Sequence, residues 1–256
     1  MSVAPKRSLG QHFLVDENIL GVIGRLAELA PDDIVLEVGP GRGVLTRYLA
    51  ERVALVHTVE IDVALEPHLP SAPNVRLHFG DALQLDLARI VPAPGKLVSN
   101  LPYNIATPLV VESLDGLPSV ELWCVMVQRE VADRFFAGPS TKAYGAVSVL
   151  VQLAAERTGF HPVSRTVFRP QPNVDSALVA FRRRPLPPSF AQVRRTVTAA
   201  FAHRRKRLAN SLELAGLTSR DRAAAALEAI GREPGARAEE LSPPEFVALT
   251  DELARE

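Results

Sequence analysis

Short apolar runs alternate with segments of helical periodicity over roughly the first half of the chain. The runs with strand character are 34–38, 54–60, 75–79, 96–99 and 122–127. The helix-like segments between them include 43–53 and 107–116. This alternation predicts βαβ units and a mostly parallel sheet that is covered by helices on both faces. Two later runs, 156–163 and 176–183, follow each other without a long helix between them, and predict a hairpin at the edge of the sheet.

The pattern changes after the proline-rich stretch 185–188. From there on all strong patterns are helical. The predicted helices are 193–216, which ends at the plausible cap Gly216, then 219–231 and 242–256, which begins with Ser242 and two prolines. We therefore expect a Rossmann-like, doubly wound α/β domain over residues 1–184 and a small all-helical domain over residues 185–256.

Composition points to a cytoplasmic protein. The 256 residues are 47% apolar, which allows a sizeable core. The polar, basic N-terminus has no apolar segment of the signal-peptide kind, and no run approaches the roughly 18 apolar residues of a membrane span. Cys124 is the single cysteine, so no disulfide can form within one chain.

Charge is unevenly distributed although the net charge is zero. No acidic residue occurs between Asp175 and Glu213, whereas nine arginines and lysines do. This segregation predicts a basic face near the start of the C-terminal third.

A candidate nucleoside site follows the first long apolar run, in the stretch 37–46 (EVGPGRGVLT). Three glycines there allow a tight turn and a close approach to a ligand: Gly39, Gly41 and Gly43. Glu60, Asp81 and Asn100 end the next three predicted strands, and ligands of such sheets bind outside the carboxyl ends of the strands. We expect Glu60 to bind ribose hydroxyls and Asp81 to hold an adenine. The site suits NAD or S-adenosylmethionine, but the G-P-G-x-G spacing departs from the dinucleotide pattern and no hydride-transfer site is recognisable.

The stretch 100–108 (NLPYNIATP) places an amide, a rigid backbone and an aromatic ring at the end of a buried strand. An exocyclic adenine amine is a poor nucleophile because its lone pair is delocalised into the ring. The Asn100 side-chain oxygen and a backbone carbonyl of the Leu101-Pro102 turn can accept its two N–H groups, and Tyr103 can stack on the base. The cluster therefore predicts a clamp for an amino group on a flat ring, with no need for a metal.

These motifs resemble the ribosomal small-subunit RNA adenine dimethyltransferases of the KsgA/RsmA type, a branch of the class I S-adenosylmethionine-dependent methyltransferases. The stretches that carry the resemblance occur in the order of that family and span nearly the whole chain. They are 6–14, 36–46, 59–62, 80–83, 99–109, 126–134, 168–178 and 201–212.

The resemblance implies further roles for particular residues. Besides Gly39, Gly41, Glu60, Asp81 and Asn100, the implied cofactor contacts are Gln11, His12, Phe13, Leu14, Ile61 and Ala82. His12 stands where many relatives have asparagine. Phe168 resembles a second ring that would sandwich the target base with Tyr103. The implied RNA-binding residues are Arg194, Arg204, Arg205, Lys206 and Arg207.

The activity that the resemblance implies is dimethylation of N6 on two adjacent adenines in a hairpin loop near the 3′ end of 16S rRNA. The implied donor is S-adenosylmethionine, and the implied setting is the assembling 30S subunit, with the enzyme acting as a monomer. A related methylase of 23S rRNA and a non-catalytic assembly factor are the alternatives. The intact glycine turn and clamp speak against the non-catalytic alternative, and the glycine spacing speaks against an NAD-dependent oxidoreductase.

Overall fold

A computed structural model describes residues 11–203 and 205–255 of the chain. The chain forms two compact units. The first consists of the described part of Met1–Ala132 together with Glu156–Arg183. The second consists of Asp133–Ala155 together with the described part of Arg184–Glu256. The described residues contain no helix that is long and apolar enough to cross a membrane.

The strands form one large sheet and one small sheet. In chain order they are Phe13–Leu14 (β1), Ile34–Val38 (β2), Leu55–Glu60 (β3), Val75–Phe79 (β4), Lys96–Asn100 (β5), Leu122–Gln128 (β6), Ala155–Val163 (β7), Phe168–Arg169 (β8) and Ser176–Arg183 (β9). The large sheet has the order β4-β3-β2-β5-β6-β9-β7, and β1 pairs with β8 in the small one. β4, β3, β2, β5 and β6 are parallel, and β9 is antiparallel to β6. The α/β fold with a mostly parallel sheet is confirmed, and the two late strands are neighbours at its edge as predicted.

Central strands of this sheet are buried on both faces, which is why they are almost continuously apolar. Leu122 to Val127 of β6 are fully buried, and Trp123 stacks on Phe181 of β9 with a ring-centroid distance of 5.3 Å. Polar residues interrupt this pattern at few positions. Glu37 of β2 and Glu60 of β3 are both buried next to the carboxyl ends of their strands. Such positions are candidates for function because a buried carboxyl group needs compensating partners.

The helices are Glu17–Leu26 (α1), Val44–Ala50 (α2), Ala106–Gly116 (α3), Arg129–Phe135 (α4), Ala146–Ala154 (α5), Phe190–Ala202 (α6), Leu208–Leu214 (α7), Arg220–Ala229 (α8) and Pro243–Leu253 (α9). α1 begins after Asp16, whose carboxylate accepts a hydrogen bond from the Asn18 N–H at 2.8 Å. α2 begins directly after the glycine-rich stretch, so the turn 39–43 joins the end of β2 to the start of this helix.

The second compact unit is helical, but it is larger than the predicted segment 185–256. It also includes Asp133–Ala155, because α5 packs against α6 and α9. Tyr144 is fully buried there and donates its hydroxyl hydrogen to the Leu241 carbonyl at 2.7 Å. The chain therefore enters this helical unit twice, which a single boundary at the proline-rich stretch did not anticipate.

The prediction of one helix over residues 193–216 is wrong. α6 ends at Ala202 and α7 begins at Leu208, with non-helical backbone at His203 (φ −125°, ψ 64°) and extended backbone at Arg207 (φ −61°, ψ 147°). The break lets α6 and α7 pack against each other, which a continuous helix cannot do. The predicted cap at Gly216 is confirmed. Its φ is 69°, and the N–H groups of Gly216 and Leu217 bond to the carbonyls of Glu213 and Leu212.

Candidate active site

The carboxyl ends of four parallel strands open onto one cavity in the first compact unit. Gly39 follows β2, Glu60 ends β3, Asp81 follows β4 and Asn100 ends β5, and all four residues line the cavity. Parallel strands bring their carboxyl ends to the same edge of the sheet, so residues far apart in sequence meet there. This arrangement agrees with the crevice expected from the strand order.

The glycine turn is closely packed from both sides. Gly39 has a φ of 75°, and a Cβ atom at this position would lie 2.9 Å from Cγ of Pro102. Gly41 has a φ of 58°, and a Cβ atom there would lie 2.9 Å from a ring carbon of Phe13. Both the backbone conformation and the space therefore require glycine. The turn brings the N-terminal segment and the clamp stretch against the same loop.

Glu60 is held by the backbone around the turn. Its carboxylate accepts hydrogen bonds from the N–H of Asp62 at 2.9 Å and the N–H of Gly41 at 3.3 Å. Burial raises the pKa of the Glu60 carboxyl, and the backbone N–H groups of Asp62, Gly41 and Ile61 oppose that rise. The side chain is 5% exposed at the cavity wall, where a carboxylate suits vicinal hydroxyl groups.

Asp81 and its neighbours also line the cavity. Oδ1 of Asp81 accepts a hydrogen bond from the Leu83 N–H at 2.9 Å, which fixes the turn after β4. The N–H of Gly80 donates to the Glu60 carbonyl at 2.9 Å and ties this turn to the end of β3. Ile61 and Ala82 add apolar surface to the lining of the same cavity. A cavity that combines carboxylates with apolar surface suits a flat, amine-bearing nucleobase.

The N-terminal segment lies over the cavity and contributes all four residues implied by the resemblance: Gln11, His12, Phe13 and Leu14. β1 pairs with β8, which holds the segment in place. The Gln11 amide donates to Asp62 at 3.2 Å, and the Arg42 guanidinium lies 4.7 Å from the ring centre of Phe13. The motif 6–14 is only partly described, because residues 6–10 lie outside the described range.

The clamp stretch follows β5 along the cavity. Asn100 donates an amide hydrogen to the His12 carbonyl at 3.4 Å. The side-chain oxygen of Asn100 takes no part in this hydrogen bond. The Pro102 carbonyl already accepts hydrogen bonds from Ile105 and Ala106 at the start of α3, both at 3.1 Å. This leaves the Leu101 carbonyl as the candidate second acceptor of the Leu101-Pro102 turn.

Tyr103 is half-buried at the mouth of the same cavity. Its hydroxyl group lies 2.7 Å from Oγ of Ser176, and its ring lies 5.6 Å from the imidazole of His12 with an interplanar angle of 30°. Burial raises the pKa of the Tyr103 phenol, so the ring is neutral at physiological pH. A neutral, fixed aromatic ring beside an amide acceptor is suited to hold a nucleobase.

Comparison with known proteins shows the family to which this chain belongs. The family model described as ribosomal RNA adenine dimethylase matches residues 4–255. The chain belongs to the ribosomal RNA adenine dimethylase family. The curated protein named ribosomal RNA small subunit methyltransferase A from Rubrobacter xylanophilus is 50% identical and aligns over 96% of this chain and 94% of its own. The protein of the same name from Lactiplantibacillus plantarum is 44% identical over 97% of this chain and 90% of its own.

Two solved structures resemble the whole fold of this dimethylase. A dimethyladenosine transferase from Plasmodium falciparum has a TM-score of 0.76 and 24% identity, with coverage of 93% of this chain and 96% of its own. The 23S rRNA methyltransferase ErmE has a TM-score of 0.67 and 30% identity, with coverage of 95% of this chain and 100% of its own.

Phe168 departs from the role implied by the resemblance. The side chain is 0% exposed, belongs to the hydrophobic core and pairs through β8 with Leu14 of β1. It does not line the cavity, whereas Tyr103 does. The sandwich of a target base between Phe168 and Tyr103 is therefore absent from this structure, because Phe168 packs beneath the N-terminal segment instead.

The basic residues implied to bind RNA lie in the second compact unit of the dimethylase. Arg205, Lys206 and Arg207 are exposed in the turn between α6 and α7, which we call the basic turn. Arg194 is half-buried on α6, and Arg204 lies outside the described residues. The break between the helices therefore presents Arg205, Lys206 and Arg207 on a turn rather than on a helix face. RNA binding by these residues stays a prediction.

Glu37 is a cavity residue that motif reasoning missed. It is 1% exposed, lines the cavity and accepts a hydrogen bond from the Thr46 hydroxyl at 2.7 Å. Burial, together with the nearby Glu60 carboxylate, raises the pKa of Glu37 to about 8 despite the Thr46 hydrogen bond. The sequence feature that could have identified Glu37 is an acidic residue inside an otherwise apolar strand. Among the residues that the structure describes, no three potential metal ligands are grouped.

Proposed function

We propose that this chain transfers methyl groups from S-adenosylmethionine to N6 of two adjacent adenines in a hairpin loop near the 3′ end of 16S rRNA, with dimethyladenine as the product. The observation that carries the proposal is the position of Asn100. This amide ends β5 beside the glycine turn and the carboxylates of one cavity, in a chain of the adenine dimethylase family.

The residues of the cavity fit the donor by their chemistry. Glu60 offers a buried carboxylate for ribose hydroxyls, and Asp81 with Ile61 and Ala82 offers an acceptor and apolar surface for adenine. Carboxylates also suit a ligand that carries a sulfonium and an ammonium group. When bound, S-adenosylmethionine supplies a methyl group that its sulfonium already activates.

The clamp prepares the acceptor nitrogen. The Asn100 oxygen and the Leu101 carbonyl accept the two N–H groups of the adenine amine and hold its lone pair out of conjugation with the ring. Tyr103 stacks on the base, a contact worth roughly 1–3 kcal/mol. No strong general base is required, because the alkylated amine is acidic and loses its proton readily. The protein therefore acts mainly by alignment and by preorganised acceptors.

The RNA is held outside the cavity in this proposal. The basic turn contacts phosphates, while adenines of a loop are less costly to unstack than paired ones. The assembling 30S subunit is the substrate, and the enzyme acts in the cytoplasm as a monomer. These finer features are proposals, and the first is supported by the relatives that are named for the small subunit.

Methylation of 23S rRNA is the second candidate, favoured by the resemblance to ErmE. The higher identity to proteins named for the small subunit favours 16S rRNA. The deciding experiment incubates the protein with labelled S-adenosylmethionine and either undermodified small subunits or 23S rRNA, and then maps the modified base. Dimethyladenine at two adjacent loop positions of 16S rRNA is expected. Label confined to 23S rRNA, or no transfer to either RNA, would overturn the proposal.

A further inference from the structure

The hydroxyl group of Tyr103 has a partner whose position the sheet determines. Ser176 is 0% exposed, and its Oγ atom lies 2.7 Å from the Tyr103 oxygen. Ser176 begins β9 and pairs with Gln128 at the end of β6, so its backbone is held by the antiparallel ladder. A buried serine that is held in this ladder has little freedom, and the phenol that bonds to it is held at one end.

The face of the same ring is also supported. The His12 imidazole lies 5.6 Å from the Tyr103 ring, and Nδ1 of His12 lies 2.7 Å from the Pro170 carbonyl. Because a carbonyl can only accept, Nδ1 carries the hydrogen and the imidazole is fixed in orientation. Pro170 and Ser176 belong to the same stretch, 168–176, so this stretch supports the ring from two directions.

We infer that Ser176 is a positioning residue for methyl transfer, which holds the Tyr103 ring in the position in which the target adenine stacks. The inference rests on the proposed function. It also gives the 168–176 stretch a role that the buried Phe168 does not supply, since the stretch acts through Tyr103 rather than by contact with the base.

A positioning role follows from what the hydrogen bond restrains. The Tyr103 ring can rotate about two side-chain bonds, and the phenol oxygen is the atom farthest from the backbone. Because this oxygen lies on the axis of rotation about the Cβ–Cγ bond, the hydrogen bond mainly limits the swing of the ring about the Cα–Cβ bond, and the stacked His12 imidazole limits its tilt. Without it the ring remains present and can still stack, but it samples orientations in which the adenine amine is not aligned with Asn100.

The test is a double-mutant cycle measured by single-turnover methylation of undermodified small subunits at saturating cofactor. The variants are Ser176→Ala, Tyr103→Phe and the double substitution. Each single change should lower the rate by about 3- to 10-fold, the equivalent of one neutral hydrogen bond. The double variant should be no slower than the slower single variant, because both changes remove the same bond. Affinities for S-adenosylmethionine and for RNA should stay within about twofold of wild type, since the ring and the cavity are retained.

Ser113→Ala is the matched control. Ser113 is 2% exposed in the same compact unit and accepts a hydrogen bond from the Trp123 indole at 2.8 Å, but it does not line the cavity. It should lower thermal stability and leave the single-turnover rate unchanged.

The possible outcomes separate the positioning role from the proposed function. Additive losses in the double variant, or a wild-type rate in Ser176→Ala, would overturn the positioning role while wild-type activity still supported the proposed function. Absence of methyl transfer by the wild-type protein would instead overturn the proposed function itself. If Ser176→Ala failed to fold, Tyr103→Phe would test the same bond from its half-buried end, and a wild-type rate there would likewise overturn the inference.

Discussion

Glu37 is the carboxyl group whose removal should change stability most clearly with pH. Its side chain is buried at the end of β2, and burial beside the Glu60 carboxylate raises its pKa to about 8 from an ordinary value of 4.5. Below pH 4.5 the group is protonated in both the folded and the unfolded chain. As pH rises towards 8, the unfolded chain loses this proton and the folded chain keeps it, so stability falls by about 1.4 kcal/mol per pH unit.

At pH 7 the accumulated penalty is about 3 kcal/mol, from 2.5 pH units between 4.5 and 7. Glu37→Gln replaces the carboxyl with a neutral group of the same shape that can still accept the hydrogen bond from Thr46. We expect the variant to match wild type near pH 4 and to be more stable by up to about 3 kcal/mol at pH 7. The gain is an upper value because the Gln amide carries two hydrogens where the protonated carboxyl carries one, and a buried hydrogen without an acceptor costs free energy.

Trp123 provides the assay. It is the only tryptophan of the chain, is 0% exposed and lies in the same compact unit as Glu37. Its fluorescence during urea unfolding, measured from pH 4 to pH 9, therefore follows the unfolding of that unit. Thr46→Val is the control, since it removes the hydrogen bond that lowers the Glu37 pKa and should extend the decline of stability to higher pH. A difference between Glu37→Gln and wild type that does not change with pH would refute the reasoning.

Three further predictions concern ligand binding and chemistry. Glu60→Ala should weaken S-adenosylmethionine binding by about 1.5–3 kcal/mol, because a carboxylate acceptor for hydroxyl groups is lost; unchanged affinity by calorimetry would remove Glu60 from the site. Alanine at all three positions of the basic turn should weaken rRNA binding and flatten its salt dependence without changing cofactor affinity, and equal RNA affinity would make the turn a solvated surface. Asn100→Ala should retain rRNA binding but slow single-turnover methyl transfer by roughly two orders of magnitude or more, and a rate near wild type would disprove the clamp.

Much of the fold could be predicted because buried parallel strands leave a strong pattern. The runs 34–38, 75–79 and 176–183 coincide with β2, β4 and β9. Each is a short apolar or alternating segment with a glycine, proline or polar turn near its end. The cavity followed from the same pattern, since once the strands are parallel their carboxyl ends must share one edge.

Other features depended on contacts that no local pattern contains. The residues around the basic turn have good helix propensity, so the pattern over 193–216 predicted one helix. What ends α6 is the packing of α7 against it, with the Leu208 N–H bonded to the Ala236 carbonyl at 2.9 Å. Phe168 illustrates the same limit, because whether an aromatic residue faces a cavity or the core depends on the strand that pairs with it. Local preference sets the types of elements, and tertiary packing sets their ends and their faces.

The glycine turn and the clamp are coupled by geometry rather than by sequence proximity. Gly39 and Pro102 are 63 positions apart, yet a Cβ atom on Gly39 would lie 2.9 Å from the proline ring. A side chain at position 39 would therefore displace Pro102, and with it Asn100 and Tyr103 on either side. In the proposed reaction, the glycine would thus serve the acceptor end as much as the nucleoside end. The contact places the glycine turn, which is proposed to bind the donor, directly against the stretch 100–103, which is proposed to bind the acceptor.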